Sequence, residues 1–350
     1  MRVVVVGASG NVGTSLLAAL AAEPAVESVL GVSRRRPAAE VAQTEWAEAD
    51  IRQDDLRALF RGADAVVHLA WAIQPSRDEA LLRRTNVVGS RRVLGAVAEA
   101  AVPTLVYASS VGTYSVGPKD RRVDESWPHE GIPTSFYGRH KAEVERLLDH
   151  FERENASVRV VRVRPALIFK RGAASGIRRL FAGPFLPTPF LRRRFVPFVP
   201  SHPRLRFQAV HSLDVGEAFR LALTSDFEGP VNVAAEPVLD ADTLGRLLEA
   251  RPVRVPGRAL RLAAALTWRL RLQPTPPGWI DLAFGVPLLE TGRAREELGW
   301  TPRHTASEAL LELLAGLREG AGLETPPLSP DTGGPARAGE IASGVGERER

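Results

Sequence analysis

Two residues four apart raise the question of chemistry first: Tyr137 and Lys141, in a run from Phe136 to Glu154 whose Val144, Leu147, Leu148 and Phe151 recur at helical spacing. On a helix the pair shares one face, with Cβ atoms about 5–6 Å apart. A free tyrosine titrates near pH ~10 and is a poor base at neutrality. An ammonium beside it stabilises the phenolate and predicts a lowered pKa. Arginine supplies nearly all other positive charge, the only lysines being Lys119, Lys141 and Lys170, so a lysine here is informative. The plain alternative is an aromatic–aliphatic surface pair. Ser109-Ser110, in ASSVGTY, ends the apolar run ahead of this helix and adds a hydroxyl. Hydroxyl, phenol and ammonium together suit hydride transfer at a carbinol or carbonyl. Ser110 would bond the oxygen, Tyr137 would move its proton, and Lys141 would hold the tyrosine and a ribose.

The elements that must position this set begin at the N-terminus, with RVVVVGASGNVG. Four valines apolar on both faces predict a strand buried in a parallel sheet. Gly7, Gly10 and Gly13 follow, then a helix from about Val12 to Ala22. Strand, glycine turn and helix N-terminus make an anion site, where backbone N–H groups around Asn11, Val12 and Gly13 and the helix dipole face a phosphate. The spacing is Gly-x-x-Gly-x-x-Gly rather than Gly-x-Gly-x-x-Gly. The bland alternative is a tight turn.

Strands at Glu27–Ser33, Ala63–Ala70, Thr104–Ser110, Val158–Val163, Phe207–His211 and Pro230–Ala234 alternate with helices at Asp54–Phe60, Asp78–Ala101, Phe136–Glu154 and Leu213–Leu223. That alternation predicts an α/β fold, a doubly wound parallel Rossmann-type sheet with a smaller, discontinuous C-terminal substrate domain. Gly7, Ser33, Asp50, Ala70 and Ser110 fall at strand ends and should meet in one cleft. Where an acidic residue commonly takes the ribose hydroxyls, the chain has Ser33 followed by Arg34, Arg35 and Arg36. Guanidinium forks in place of a carboxylate suit a 2′-phosphate, so NADP is expected over NAD, the alternative being a basic surface turn.

Residues 1–170, with 207–235 returning to pack on them, are expected to form the dinucleotide-binding domain. Residues 171–206 and 236–320 form the substrate or lid region. Lys170 to Arg206 shows little period, and Phe181, Phe185, Leu186, Phe190, Phe195 and Phe198 suggest an apolar wall. Residues 258–272, RALRLAAALTWRLRL, could touch a membrane surface. The favoured reading packs the Leu and Trp side chains inward while the arginines snorkel. Beyond Leu323 the chain is Pro/Gly/Ser-rich and then charged, which predicts a disordered tail over 321–350.

The absence of cysteine excludes disulfides, thiolate metal sites and Cys nucleophiles, and fits a reducing cytoplasm. No signal peptide and no membrane-spanning run is apparent. The net charge of +5 is spread over scattered arginines without an aromatic-interleaved strip, which argues against a nucleic-acid partner. His68, His129, His140, His150, His202, His211 and His304 show no metal-ligand spacing. His140 and His150 are expected at the surface, and His211 buried beside the cleft as a structural partner.

The motifs in order resemble those of extended short-chain dehydrogenases/reductases of the NAD-dependent epimerase/dehydratase family over about residues 1–320. They are Gly7-x-x-Gly10-x-x-Gly13, Asp50-Ile51, His68-Leu69-Ala70, Asn86-Val87-x-Gly89, Ser109-Ser110, Tyr137-x-x-x-Lys141, Arg164-Pro165, Val210-His211-x-x-Asp214-Val215 and Leu298-Gly299-Trp300-x-Pro302. The resemblance implies that Ser110, Tyr137 and Lys141 are the catalytic trio. It puts Asp50 and Ile51 at the adenine and Ala70 at the pyrophosphate–ribose side. Leu69, Trp71, Asn86, Ala108 and Lys141 are the further cofactor contacts, with the main chain after Pro165 near the nicotinamide. It also implies a possible homodimer through the helices near 85–100 and 136–154. Sugar-nucleotide 4,6-dehydratases of the family carry Thr-Asp-Glu where this chain has Ser110-Val111-Gly112, which excludes that elimination. Phe169-Lys170-Arg171 replaces the usual Tyr-Gly-Pro, and Arg192–Arg194 could grip a nucleotide diphosphate. The expectation is an epimerase or reductase acting on a nucleotide-sugar or an apolar alcohol or ketone. The alternative from another class is a non-catalytic redox-sensing or interaction module, against which the intact trio counts.

Overall fold

The four-valine strand divides the molecule. Its side chains alternate, so Val3 and Val5 enter one apolar cluster with Leu16, Leu20, Val215 and Phe219, while Val4 and Val6 enter a second with Phe60, Val97 and Leu148. One strand thereby serves two layers, as a doubly wound sheet requires.

The protein is described by a computed structural model over residues 1–38, 41–187 and 197–346. The chain runs β1 Arg2–Val6, α1 Asn11–Leu20, β2 Ser28–Ser33, β3 Thr44–Glu48, α2 Arg57–Phe60, β4 Ala65–His68, α3 Glu79–Arg83, a π turn Arg84–Val88, α4 Gly89–Glu99 and β5 Thr104–Ala108. After β6 Arg122–Val123 come α5 Phe136–Glu154, β7 Arg159–Pro165, β8 Leu167–Phe169, α6 Ala174–Ile177, β9 Phe198–Ser201, β10 Phe207–His211, α7 Ser212–Thr224 and β11 Gly229–Val233. The remainder is β12 Ala235–Leu239, α8 Ala241–Leu248, β13 Arg251–Arg254, α9 Gly257–Arg269, α10 Gly278–Gly285, β14 Leu288–Leu289, α11 Gly292–Glu296, α12 Ala306–Glu319 and α13 Ala338–Ala342. The large sheet has seven parallel strands in the order β11-β7-β5-β4-β1-β2-β3. Strand order reverses between β1 and β4, which opens a crevice at their carboxyl ends.

Several expectations are corrected. Phe207–His211 joins a second, three-stranded sheet with β8 and β12 rather than the large one; α7 and β11 do return to it. The 170–206 stretch contains a 3-10 turn Arg171–Ala173, α6, a π turn Arg178–Ala182 and β9. These pieces are too short to show a period and are held by tertiary contacts such as Ala174 on Leu313 and Leu317. Phe190, Phe195 and Arg192–Arg194 lie outside the described residues. Residues 321–346 are packed rather than disordered, with Leu328 and Val345 buried and the Glu340 carboxylate paired to Arg178 of the π turn. Composition could not reveal that partner, which is far away in sequence. His140 is buried rather than at the surface, packed on Phe136 and 4.0 Å from the Glu79 carboxylate of α3. Helix α9 fully buries none of its residues, and its Leu262 and Leu266 face outward.

Candidate active site

At the end of β1 the backbone turns through Gly7 at φ +90°, and a Cβ there would lie 2.7 Å from the Ala70 nitrogen. Only glycine tolerates both the dihedral and that approach. The Gly7 N–H donates to Val32 O, and Leu69 N–H to Val6 O, tying the turn to β2 and β4. Gly10 caps α1 without a side chain, and Gly13 sits against the Ala8 carbonyl, so the first turn presents main chain to the crevice. Asn11 Oδ1 is buried without a partner there, while Val12 packs on the core. A cradle shut to a Cβ and an uncapped helix N-terminus fit a dinucleotide pyrophosphate.

Lys170 stands behind this turn, a residue that sequence reasoning marked only as a departure. Its ammonium donates to Asn11 O at 2.8 Å, Thr14 Oγ1 at 2.7 Å and Ser15 Oγ at 2.9 Å, and burial pushes it down to about 8. It adds positive charge beside the anion site.

At the rim, Ser33 is buried and its hydroxyl donates to Arg35 O at 2.8 Å, closing the turn and leaving Arg34 and Arg35 exposed. Asp50 receives a bidentate pair from Arg52. Ile51 is buried beneath Gly89, whose Cβ would come 2.7 Å from it. Asn86 spends both ends of its amide on the backbone of Ala72, at 2.7 and 2.8 Å, so it holds the loop after β4 rather than facing the crevice. Pro165 ends β7 opposite Val233.

Helix α5 starts at Ser135, whose hydroxyl caps Gly138 N–H. It brings Tyr137, Lys141 and Glu145 onto one face, each a turn from the next. Tyr137 is partly exposed, and its ring is so close to Gly112 that a Cβ there would lie 2.6 Å from the ring and 3.4 Å from Ser110 Oγ. The predicted lowering of its pKa is not what the structure shows. Burial raises the phenol above its ordinary value, and the Ser110 hydroxyl opposes this. Lys141 is not among the causes of that shift; its ammonium donates to Ala108 O at 2.6 Å and Tyr107 OH at 3.3 Å and lies 3.6 Å from the centre of the Trp71 ring. Burial pushes that ammonium down to about 7, with Glu145 opposing the shift.

Glu145 is the residue that sequence reasoning missed, although its place four after Lys141 was a usable signal. Fully buried, it accepts Arg164 Nε and Nη2 at 2.9 Å each, Arg162 Nη1 at 3.0 Å and the Ser109 hydroxyl. Burial would raise its carboxyl, but the two guanidiniums hold it at about 2. The cluster ties α5 to β5 and β7 beneath the trio. Trp279, on the unforeseen α10, covers the front: its ring is 5.1 Å from Tyr137 and edge-on to Phe181 at 4.9 Å. His211 caps α7 and bonds Glu312, a structural role. Among the described residues no group of three metal-ligating side chains occurs.

A doubly wound sheet with its glycine turn at the strand reversal, and a Ser/Tyr/Lys set on the next strand and helix, defines an extended short-chain dehydrogenase/reductase. The chain belongs to the NAD-dependent epimerase/dehydratase family, whose model matches residues 3–234. It is 27% identical over 326 residues to an uncharacterised protein of Mycobacterium tuberculosis, covering 92% of this chain but 31% of that one. The chain thus spans about a third of the length of the first curated relatives it matches. It is also 27% identical over 328 residues to a 4-hydroxy-2-methyl-3-oxo-4-farnesyl-3,4-dihydroquinoline-1-oxide ketoreductase of Stigmatella aurantiaca, covering 89% of this chain and 95% of that protein. A UDP-glucose 4-epimerase of Thermus thermophilus, solved in complex with NAD, shares the fold at a TM-score of 0.65 and 21% identity, over 91% of this chain and 99% of that one. No helix among the described residues is long and apolar enough to cross a membrane.

Proposed function

We propose that the protein transfers hydride between a nicotinamide dinucleotide and a secondary alcohol or carbonyl, with Tyr137 as the acid/base. The observation that carries this reading is the convergence of Ser110, Tyr137 and Lys141 beside the Gly7 turn. The dinucleotide, when bound, supplies or accepts the hydride. Ser110 bonds the substrate oxygen. A phenol raised by burial keeps its proton at neutral pH, which suits Tyr137 to protonating a carbonyl oxygen as it is reduced. Lys141, fixed by Ala108 O, is the donor for the ribose hydroxyls. Glu145 does not touch substrate; its charge opposes the depression of the Lys141 pKa.

Trp71, Phe181 and Trp279 around Tyr137 favour an apolar alcohol or ketone. The exposed Arg34 and Arg35 favour NADP over NAD. Gly112 against the Tyr137 ring leaves no carboxylate for dehydration. The test is Tyr137→Phe, assayed with NADPH and NADH against a panel of apolar ketones. Turnover should fall by about 10²–10⁴-fold with dinucleotide affinity kept. Wild-type turnover in the variant would remove the centre of the proposal. Dinucleotide retained through purification identifies net epimerisation; empty protein with NADPH turnover identifies reduction.

A further inference from the structure

Helix α9 has two apolar stripes at the same spacing. Leu260, Ala264 and Trp268 form the one turned inward: Trp268 stacks under Arg77 at 4.6 Å and lines, with Trp279, Phe136, Arg139 and Glu79, a cavity of about 300 Å³. The other stripe, Leu262, Leu266 and the cap residue Leu270, is 59, 49 and 68% exposed. Leu272 and, on β13 just before the helix, Val253 are also exposed. Three leucines on successive turns, each about half or more in water, form a patch that monomeric surfaces rarely keep without a use.

The charge around the stripe selects what covers it. Residues 251–280 contain six arginines and not one Asp or Glu. Arg258 and Arg269 border the leucines and are exposed, and Arg251 and Arg254 are exposed on β13. Arg261, on the inner side, is taken by Asp281 at 2.9 Å. A second copy meeting this face across a two-fold axis would set arginine against arginine. An anionic bilayer satisfies both features, since leucines enter the acyl boundary while guanidiniums meet phosphates.

We propose that α9 is an interfacial helix that seats the lid on an anionic lipid surface. The docking does not depend on which carbonyl the site reduces. It puts the cavity beneath α9 about one helix diameter, ~10 Å, from the headgroups, within reach of a substrate with a lipid tail.

The experiment is co-sedimentation of the full chain with vesicles of phosphatidylcholine alone and of phosphatidylcholine with a one-third share of phosphatidylglycerol. Wild type should bind the anionic vesicles and not the neutral ones. Leu262→Ser with Leu266→Ser should weaken binding about tenfold. Arg258→Gln and Arg269→Gln should each weaken it about fivefold. All variants should keep the wild-type unfolding midpoint and dinucleotide affinity, which separates lost docking from lost folding. The proposal is overturned if wild type ignores anionic vesicles, if the double leucine variant binds as wild type, or if sedimentation velocity finds a dimer that the leucine substitutions dissociate. Because the readout needs no substrate, its failure leaves hydride transfer untouched.

Discussion

Replacing Glu145 by Gln should destabilise the protein by about 3–5 kcal/mol, as expected when one member of a buried ion cluster is removed. The carboxylate is fully buried and accepts from Arg164, Arg162 and Ser109, so the variant strands two guanidiniums beneath the site. The two guanidiniums hold the carboxyl at about 2, below its ordinary 4.5. Because the folded value lies below the unfolded one, the carboxylate's contribution is complete above pH 4.5 and is lost as the pH falls towards about 2. Urea unfolding of wild type and Glu145→Gln should therefore differ widely at neutral pH, with the gap closing in acid. The variant should also lower the Lys141 pKa further, since Glu145 is what opposes its depression. A neutral-pH difference below ~1 kcal/mol, the range of a surface pair, would refute the reasoning, as would a gap independent of pH.

Gly7→Ala meets the Ala70 backbone at 2.7 Å and a φ of +90°. It should cost roughly 2–5 kcal/mol and abolish dinucleotide binding, read by calorimetry; an unchanged affinity would contradict the crevice. Arg34→Gln with Arg35→Gln should lower the NADPH-to-NADH ratio of kcat/KM by about tenfold or more, and an unmoved ratio would assign the preference elsewhere. Lys141 titrates at about 7, so its charged form is lost as the pH rises through that value. Carbonyl reduction that needs the ammonium should decline across the same interval, and a flat steady-state pH profile would count against that role.

The sequence alone determined what depends on neighbours along the chain. The valine strand, the glycine turn and α5 were legible because strand alternation, glycine sterics and helical spacing are local. The residues Gly7 to Gly13, Ser110, Tyr137 and Lys141 came with them. The outward face of α9 was not legible, because its two leucine-bearing stripes have the same spacing and only packing chooses between them. Trp279 over Tyr137, Glu340 against Arg178 and the guanidiniums on Glu145 join residues distant in sequence, and they leave no period to read. The direction of the Tyr137 shift likewise belonged to the tertiary structure: helical spacing sets the phenol near an ammonium, but burial decides which effect prevails.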